Sequence, residues 1–195
     1  MRSGICGNLT GAAGKGDRMW RWIIELSRVR KARRAAVTTI SPIVEGSRHR
    51  LGAISDAAWS DPYVIGFLVM LISIIARVES GRITQNSMSL VQCKAWEDIT
   101  SMTSDVMAEE LLLLSTSHNR EFELGCRDAA TFSSILLGNP ILSEGGGMPR
   151  ESRPHDPPVM DRHEPFAQRE DVSVAWAQFF DARISTHDVS GQAIL

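Results

Sequence analysis

The stretch Gly11-Ala-Ala-Gly-Lys-Gly-Asp17 carries the glycines and the lysine with which a backbone loop can cradle phosphate. Such a loop needs a glycine five positions before the one that precedes the lysine. It also needs a serine or threonine after the lysine to bind magnesium. Those two positions hold Leu9 and Gly16, and no strand pattern comes before them. Glu109, Glu110 and His118 could offer carboxylates and an imidazole to a metal. Adjacent glutamates project on different sides of a helix, and their distance to the histidine matches no ligand signature. Cys6, Cys93 and Cys126 are odd in number and lie far apart, with no CxxC pair and no histidine at ligand spacing. Neither a disulfide framework nor a zinc site is expected, and a reducing compartment is the default. Cys93 and Cys126 fall inside helical patterns, where cysteine acts as a small hydrophobe. No G-x-S-x-G nucleophile elbow occurs. Asp161-Arg162-His163-Glu164 lies in a Gly/Pro-rich stretch that could not hold catalytic geometry. The expectation is therefore no catalytic residue, no cofactor and no metal.

The one segment with a mechanism of its own is Met19–Arg34, MWRWIIELSRVRKARR. It sets Trp20, Trp22, Ile23, Ile24 and Leu26 beside Arg21, Arg28, Arg30, Lys31, Arg33 and Arg34, with Glu25 as its only acid. A helix with aromatic and apolar residues on one side and cations on the other can lie in the headgroup plane of an anionic membrane. Each basic residue near such a surface contributes about 1 kcal/mol. The candidate surface-binding residues are thus Trp20, Arg21, Trp22, Arg28, Arg30, Lys31, Arg33 and Arg34. The same cations could grip a nucleic-acid backbone, but phosphate contacts need no tryptophans. They could also pair with the chain's own acids, since a formal charge of −2 conceals a polarity: residues 1–50 carry +8 and residues 51–195 carry −10. Pairing with Glu97, Asp98, Glu109 or Glu110 would favour that plainer reading.

These residues must be placed by helices. Aromatics make up 6% of the chain, with a single tyrosine, which argues against a β-sandwich or barrel. From Asp17 to about Thr38, Trp22, Leu26, Val29, Ala32, Ala36 and Ile40 recur at helical spacing. Ser41-Pro42 is expected to break that helix and to start a short second one over 42–51. Asp61-Pro62 is the sharpest local signal: the carboxylate can cap a first turn, and a proline at the first helical position loses nothing by lacking an N–H. The helix it opens is apolar all round from Tyr63 to Ala76 and should stop at Gly81. A run of that length is usually a core helix, since spanning a bilayer takes about 20 residues. Ile65, Leu68, Val69, Ile72 and Ile75 should then be buried; insertion of residues 63–76 as a single membrane pass is the alternative. Met88, Val91, Ala95, Ile99 and Met102 mark another helix, and Ser104 or Asp105 could cap the next, VMAEELLLL. Phe122, Cys126, Ala129, Ser133 and Leu136 give the last one a face of mostly small residues suited to close packing, ending at Gly138-Asn139-Pro140.

The expected architecture is all-α, a single small bundle of five or six helices over 19–140. Residues 1–18 form a disordered leader, with Met19 as the expected natural start. Residues 141–170 form a disordered linker whose Gly, Pro and charge cannot offset the entropy of ordering. Residues 171–195 form an acidic tail with a possible short amphipathic helix. Trp176, Phe179 and Phe180 on that helix either meet a protein partner or dock back on the core. The expected role is that of a non-catalytic interaction or adaptor protein in the cytoplasm, associated with an anionic membrane surface.

Overall fold

The computed structural model describes residues 14–138 and 170–186; for 14–22 and 104–106 it describes the backbone. The described residues are all-α. In chain order the helices are α1 (Gly14–Leu51), α2 (Asp56–Trp59), α3 (Pro62–Ser80), α4 (Gln85–Thr100), α5 (Ser104–Thr116), α6 (Arg120–Leu136) and α7 (Glu170–Trp176). The last continues through a π-helical turn, Ala177–Asp181, into helical residues 182–186. Residues 1–13, 139–169 and 187–195, which include most of the expected leader, linker and tail end, lie outside the described residues. Residues 14–18, expected in the leader, form the first turn of α1.

The expected break at Pro42 does not occur, and α1 runs through it. Proline removes one backbone hydrogen bond and crowds the preceding turn. Here its ring lies exposed, while Ile40, Ile43, Val44 and Ser47 on both sides of it are buried. Burial of that face keeps the two halves in one register against the core. The short α2, absent from the sequence reading, starts where the Ser55 side chain accepts from Ala58 N.

Other boundaries follow their local chemistry. Asp61 Oδ1 accepts from Tyr63 N at 2.9 Å and Val64 N at 3.2 Å, with Pro62 at the first helical position. Gly81, at φ 68°, ends α3 in a conformation that costs glycine nothing. Asn119 caps α6 through Glu121 N and Phe122 N. Thr103, rather than Ser104 or Asp105, stands at the cap position of α5.

α3 is the centre of the bundle. α6 makes the most extensive contact with it, and α1 and α4 cover its other sides. Ile65, Leu68, Val69, Ile72 and Ile75 are all buried, as expected of a core helix. The helix is long and apolar enough to cross a membrane, but about two-thirds of its apolar window is enclosed by the rest of the chain. α3 and α6 approach at two glycines. A Cβ on Gly66 would stand 2.3 Å from the Phe122 carbonyl oxygen, and one on Gly125 2.2 Å from that of Tyr63. Of the expected small-residue face of α6, Ala129, Ser133 and Leu136 are buried; Gly125, which makes the close approach, lies outside that expected set.

The tail aromatics correct the partner-binding reading. Trp176 and Phe180 are fully buried in this chain's own core, and Phe179 is half-buried. The Trp176 ring meets Phe132 at 5.4 Å, Phe67 at 5.6 Å and Phe180 at 4.4 Å between centroids. Each such pair adds about 0.5–1.5 kcal/mol beyond area burial. Buried Ser47 on α1 accepts from Trp176 Nε1 at 2.7 Å and donates to Asp181 Oδ1 at 2.5 Å. In a regular α-helix residues five apart point about 140° away from each other. The wider π turn brings Trp176 and Asp181 to the same serine, which gives this turn its structural reason. Arg50 closes the cluster on Asp181 Oδ2 through Nε at 2.9 Å and Nη2 at 2.5 Å. A protease nick anywhere in 141–169 is therefore expected to leave the 170–186 segment bound to the body. Both fragments should co-elute on gel filtration and separate only in denaturant.

Candidate functional site

The inner side of α1 is used by the fold. Val29, Ala32, Ala36 and Ile40 are buried, and the two alanines let α1 lie close to α3 and α4. The outer side is a line at spacings of 4, 3 and 4: Ile23, Ser27, Arg30 and Arg34, all exposed. Ile23 is 43% and Ile24 50% accessible.

The basic residues divide into two groups. Arg33 makes a bidentate pair with Asp98 on α4, at 2.6 and 2.7 Å. That hydrogen-bonded carboxylate pushes the Arg33 pKa further up. Lys31 Nζ donates to the Glu79 carbonyl at 2.6 Å, where the end of α3 favours a cation. Arg28 Nη1 reaches the Arg82 carbonyl at 3.5 Å. These three serve to hold α1 on the ends of α3 and α4, and for Arg33 the pair with Asp98 favours the plainer reading, that the cations meet the chain's own acids. Arg30 and Arg34 are exposed and have no acidic partner among the described residues. Trp20, Arg21 and Trp22 lie on α1, and their side chains fall outside the described residues. Glu25, the one acid of the segment, is tied to α4. Hydrogen bonds from Ser87, then Thr84, hold its carboxyl below the usual range.

The arrangement differs in one respect from the sequence expectation of apolar residues opposite cations. The face that packs on the core is Val29, Ala32, Ala36 and Ile40, while Ile23 and Ile24 stay exposed. What stays outside is a line with isoleucines toward its N-terminal end and arginines further along.

Comparison with protein-family models, curated proteins and solved structures finds no match for this chain.

A second concavity lies between α3, α4, α5 and α6, with a volume of about 540 Å³. Cys93 and Cys126, separate in sequence, both line it. Burial, then the nearby Glu123, pushes the Cys126 thiol up to about 11. Among the described residues no group of three or more His, Cys, Asp or Glu could hold a metal ion. His118 stands 3.5 Å from Glu123 on the surface, away from any such set.

Sequence reading passed over Ser47, Asp181, Arg183 and Tyr63, which hold α7 in place. Arg183 reaches Glu121 at 2.7 Å and Asp61 at 3.4 Å, and stacks 5.2 Å from the Tyr63 ring. The Tyr63 hydroxyl donates between Asp128 Oδ2 at 2.8 Å and the Phe179 carbonyl at 3.1 Å. Burial, then the Asp128 bond, raises the Tyr63 pKa well above its ordinary 10.0. The fold favours the neutral phenol. Its contribution is therefore full below pH 10.0 and is lost as the unfolded chain ionises above it. Tyr63 is the only tyrosine, so phenolate absorbance reports on it alone. The signal should stay flat through pH 10.0 in the folded protein and rise together with unfolding. A rise at the ordinary value with the helices intact would show that the hydroxyl is not held.

Proposed function

We propose that the protein is a non-catalytic helical interaction protein of the reducing cytoplasm. It meets an anionic membrane surface through the outer line of α1. The observation that carries this reading is the exposure of Ile23 and Ile24 on the same helix as Arg30 and Arg34, which form no ion pair among the described residues. Burying a full isoleucine side chain is worth about 1.5–3 kcal/mol, so two half-exposed ones offer roughly 2 kcal/mol in all. Two arginines near the surface add about 2 kcal/mol. That sum corresponds to only a millimolar affinity. Useful binding thus also needs Trp20, Arg21 and Trp22, the remaining members of the segment. The contact is reversible and electrostatically steered, not an anchor.

Flotation with phosphatidylglycerol-containing and pure phosphatidylcholine vesicles tests this. Binding should require the anionic lipid and fall steeply with salt, because the Debye length is about 8 Å at 0.15 M. It should also fall for Ile23→Ser with Ile24→Ser, for Trp20→Ala with Trp22→Ala, and for Arg30→Gln with Arg34→Gln. Sensitivity to salt and arginines but indifference to the apolar residues would redirect the reading to a nucleic acid or an acidic protein. Protein that resists salt and carbonate and needs detergent for release would instead point to insertion of α3.

A further inference from the structure

The concavity between α3, α4, α5 and α6 has the size and lining of a ligand site. Its 540 Å³ falls inside the range of about 300–1,000 Å³ usual for small-molecule pockets. Met70 from α3, Cys93 from α4, Leu111 from α5, and Phe122 and Cys126 from α6 give it a soft, mainly apolar wall. Thioether and thiol side chains adapt to irregular shapes. Although 23% of the chain is charged, no Asp, Glu, Lys, Arg or His among the described residues lines this space. An ionised ligand would lose hydration there without a counter-charge.

Ser73, Gln85, Ser89, Gln92 and Ser115 also line it, and two of these are held in a defined orientation. Gln92 Nε2 donates to Ser73 Oγ at 2.8 Å, and Ser73 Oγ donates to the Val69 carbonyl at 2.6 Å. The Gln92 side-chain carbonyl receives no donor among the described residues. The pair thus offers an oriented acceptor next to the apolar wall. The α5 side of the space is less anchored than the α3 and α6 sides. Its principal neighbour is α4; of its described side chains Met107 and Leu114 are buried, while Leu112 and Leu113 are more than half exposed. Such a wall can shift to admit a ligand.

We propose that this cleft binds a neutral, mainly apolar small molecule that carries one hydrogen-bond donor.

The test uses the full-length protein with dodecanamide as probe. Sodium dodecanoate and dodecyltrimethylammonium, below their micelle concentrations, serve as the charged counterparts. Iodoacetamide alkylation is followed peptide by peptide by mass spectrometry. Dodecanamide should slow alkylation at Cys93 and Cys126 about tenfold and leave Cys6 unchanged, while the charged probes leave all three unchanged. Ala108→Trp, at an exposed position on the rim, should fill the cleft and abolish the protection with helix content intact. Gln92→Leu should weaken dodecanamide about fivefold, the worth of one hydrogen bond, without changing the affinity for dodecyl methyl ether. Three outcomes would overturn the proposal: no protection by dodecanamide, equal protection by dodecanoate, or protection that survives Ala108→Trp.

Discussion

Replacing Trp176 by alanine lowers the free energy of unfolding by about 3–5 kcal/mol. The ring is fully buried against Phe67, Phe132 and Phe180, so its removal leaves a cavity at the place where α7 meets α3 and α6. Ser47 also loses a donor, while its bond to Asp181 survives. Against a typical total of about 5–15 kcal/mol, this is a large share. Urea unfolding followed by circular dichroism measures it. Trp176→Phe separates the parts: it keeps most of the ring and gives up the hydrogen bond, for a smaller loss of about 1–2 kcal/mol. A loss below about 1 kcal/mol for the alanine variant would mean that the C-terminal segment does not complete the core in solution.

Gly125→Ala is expected to cost about 3 kcal/mol, the upper end for overpacking. The added methyl would lie 2.2 Å from the Tyr63 carbonyl oxygen and 2.9 Å from Phe67 N. Both are backbone atoms of α3, which no rotamer change can move aside, so the helices must part along their most extensive interface. Gly66→Ala meets the Phe122 carbonyl oxygen at 2.3 Å and should behave alike. Alanine at either position improves intrinsic helix propensity by about 1 kcal/mol, so a loss measured by urea unfolding isolates the steric effect. A stabilised Gly125→Ala would show that α3 and α6 are further apart than described.

Sequence patterns were informative where the physics is local. Asp61-Pro62, Gly81 and the 3–4 spacing of Val29, Ala32, Ala36 and Ile40 act within one or two turns, and the structure keeps each of them. They failed where distant packing decides. Pro42 is a local breaker, yet Ile40, Ile43 and Val44 are buried across it, and burial outweighs one missing hydrogen bond. Trp176, Phe179 and Phe180 could dock on the core or meet a partner, because nothing nearby in sequence names Ser47 and Arg50 as the receivers of Trp176 and Asp181. The exposed cationic line was partly legible. Composition picked out the segment, but the spending of Lys31 and Arg33 on Glu79 and Asp98 depends on where α3 and α4 end. The cleft was not legible at all, since Gln92, Cys93 and Cys126 meet only through the crossing of four helices.

The bond between Ser47 and Asp181 joins residues 134 positions apart. A ribosome adding about 5–20 residues per second needs roughly 7–27 s to traverse that distance. Within that interval Phe67 and then Phe132 are made before Trp176 and Phe180, the aromatic residues that cover them. Core closure therefore waits for α7 to be made. A product cut short before Glu170 lacks Trp176 and Phe180, the two rings that cover Phe67 and Phe132 in the folded chain.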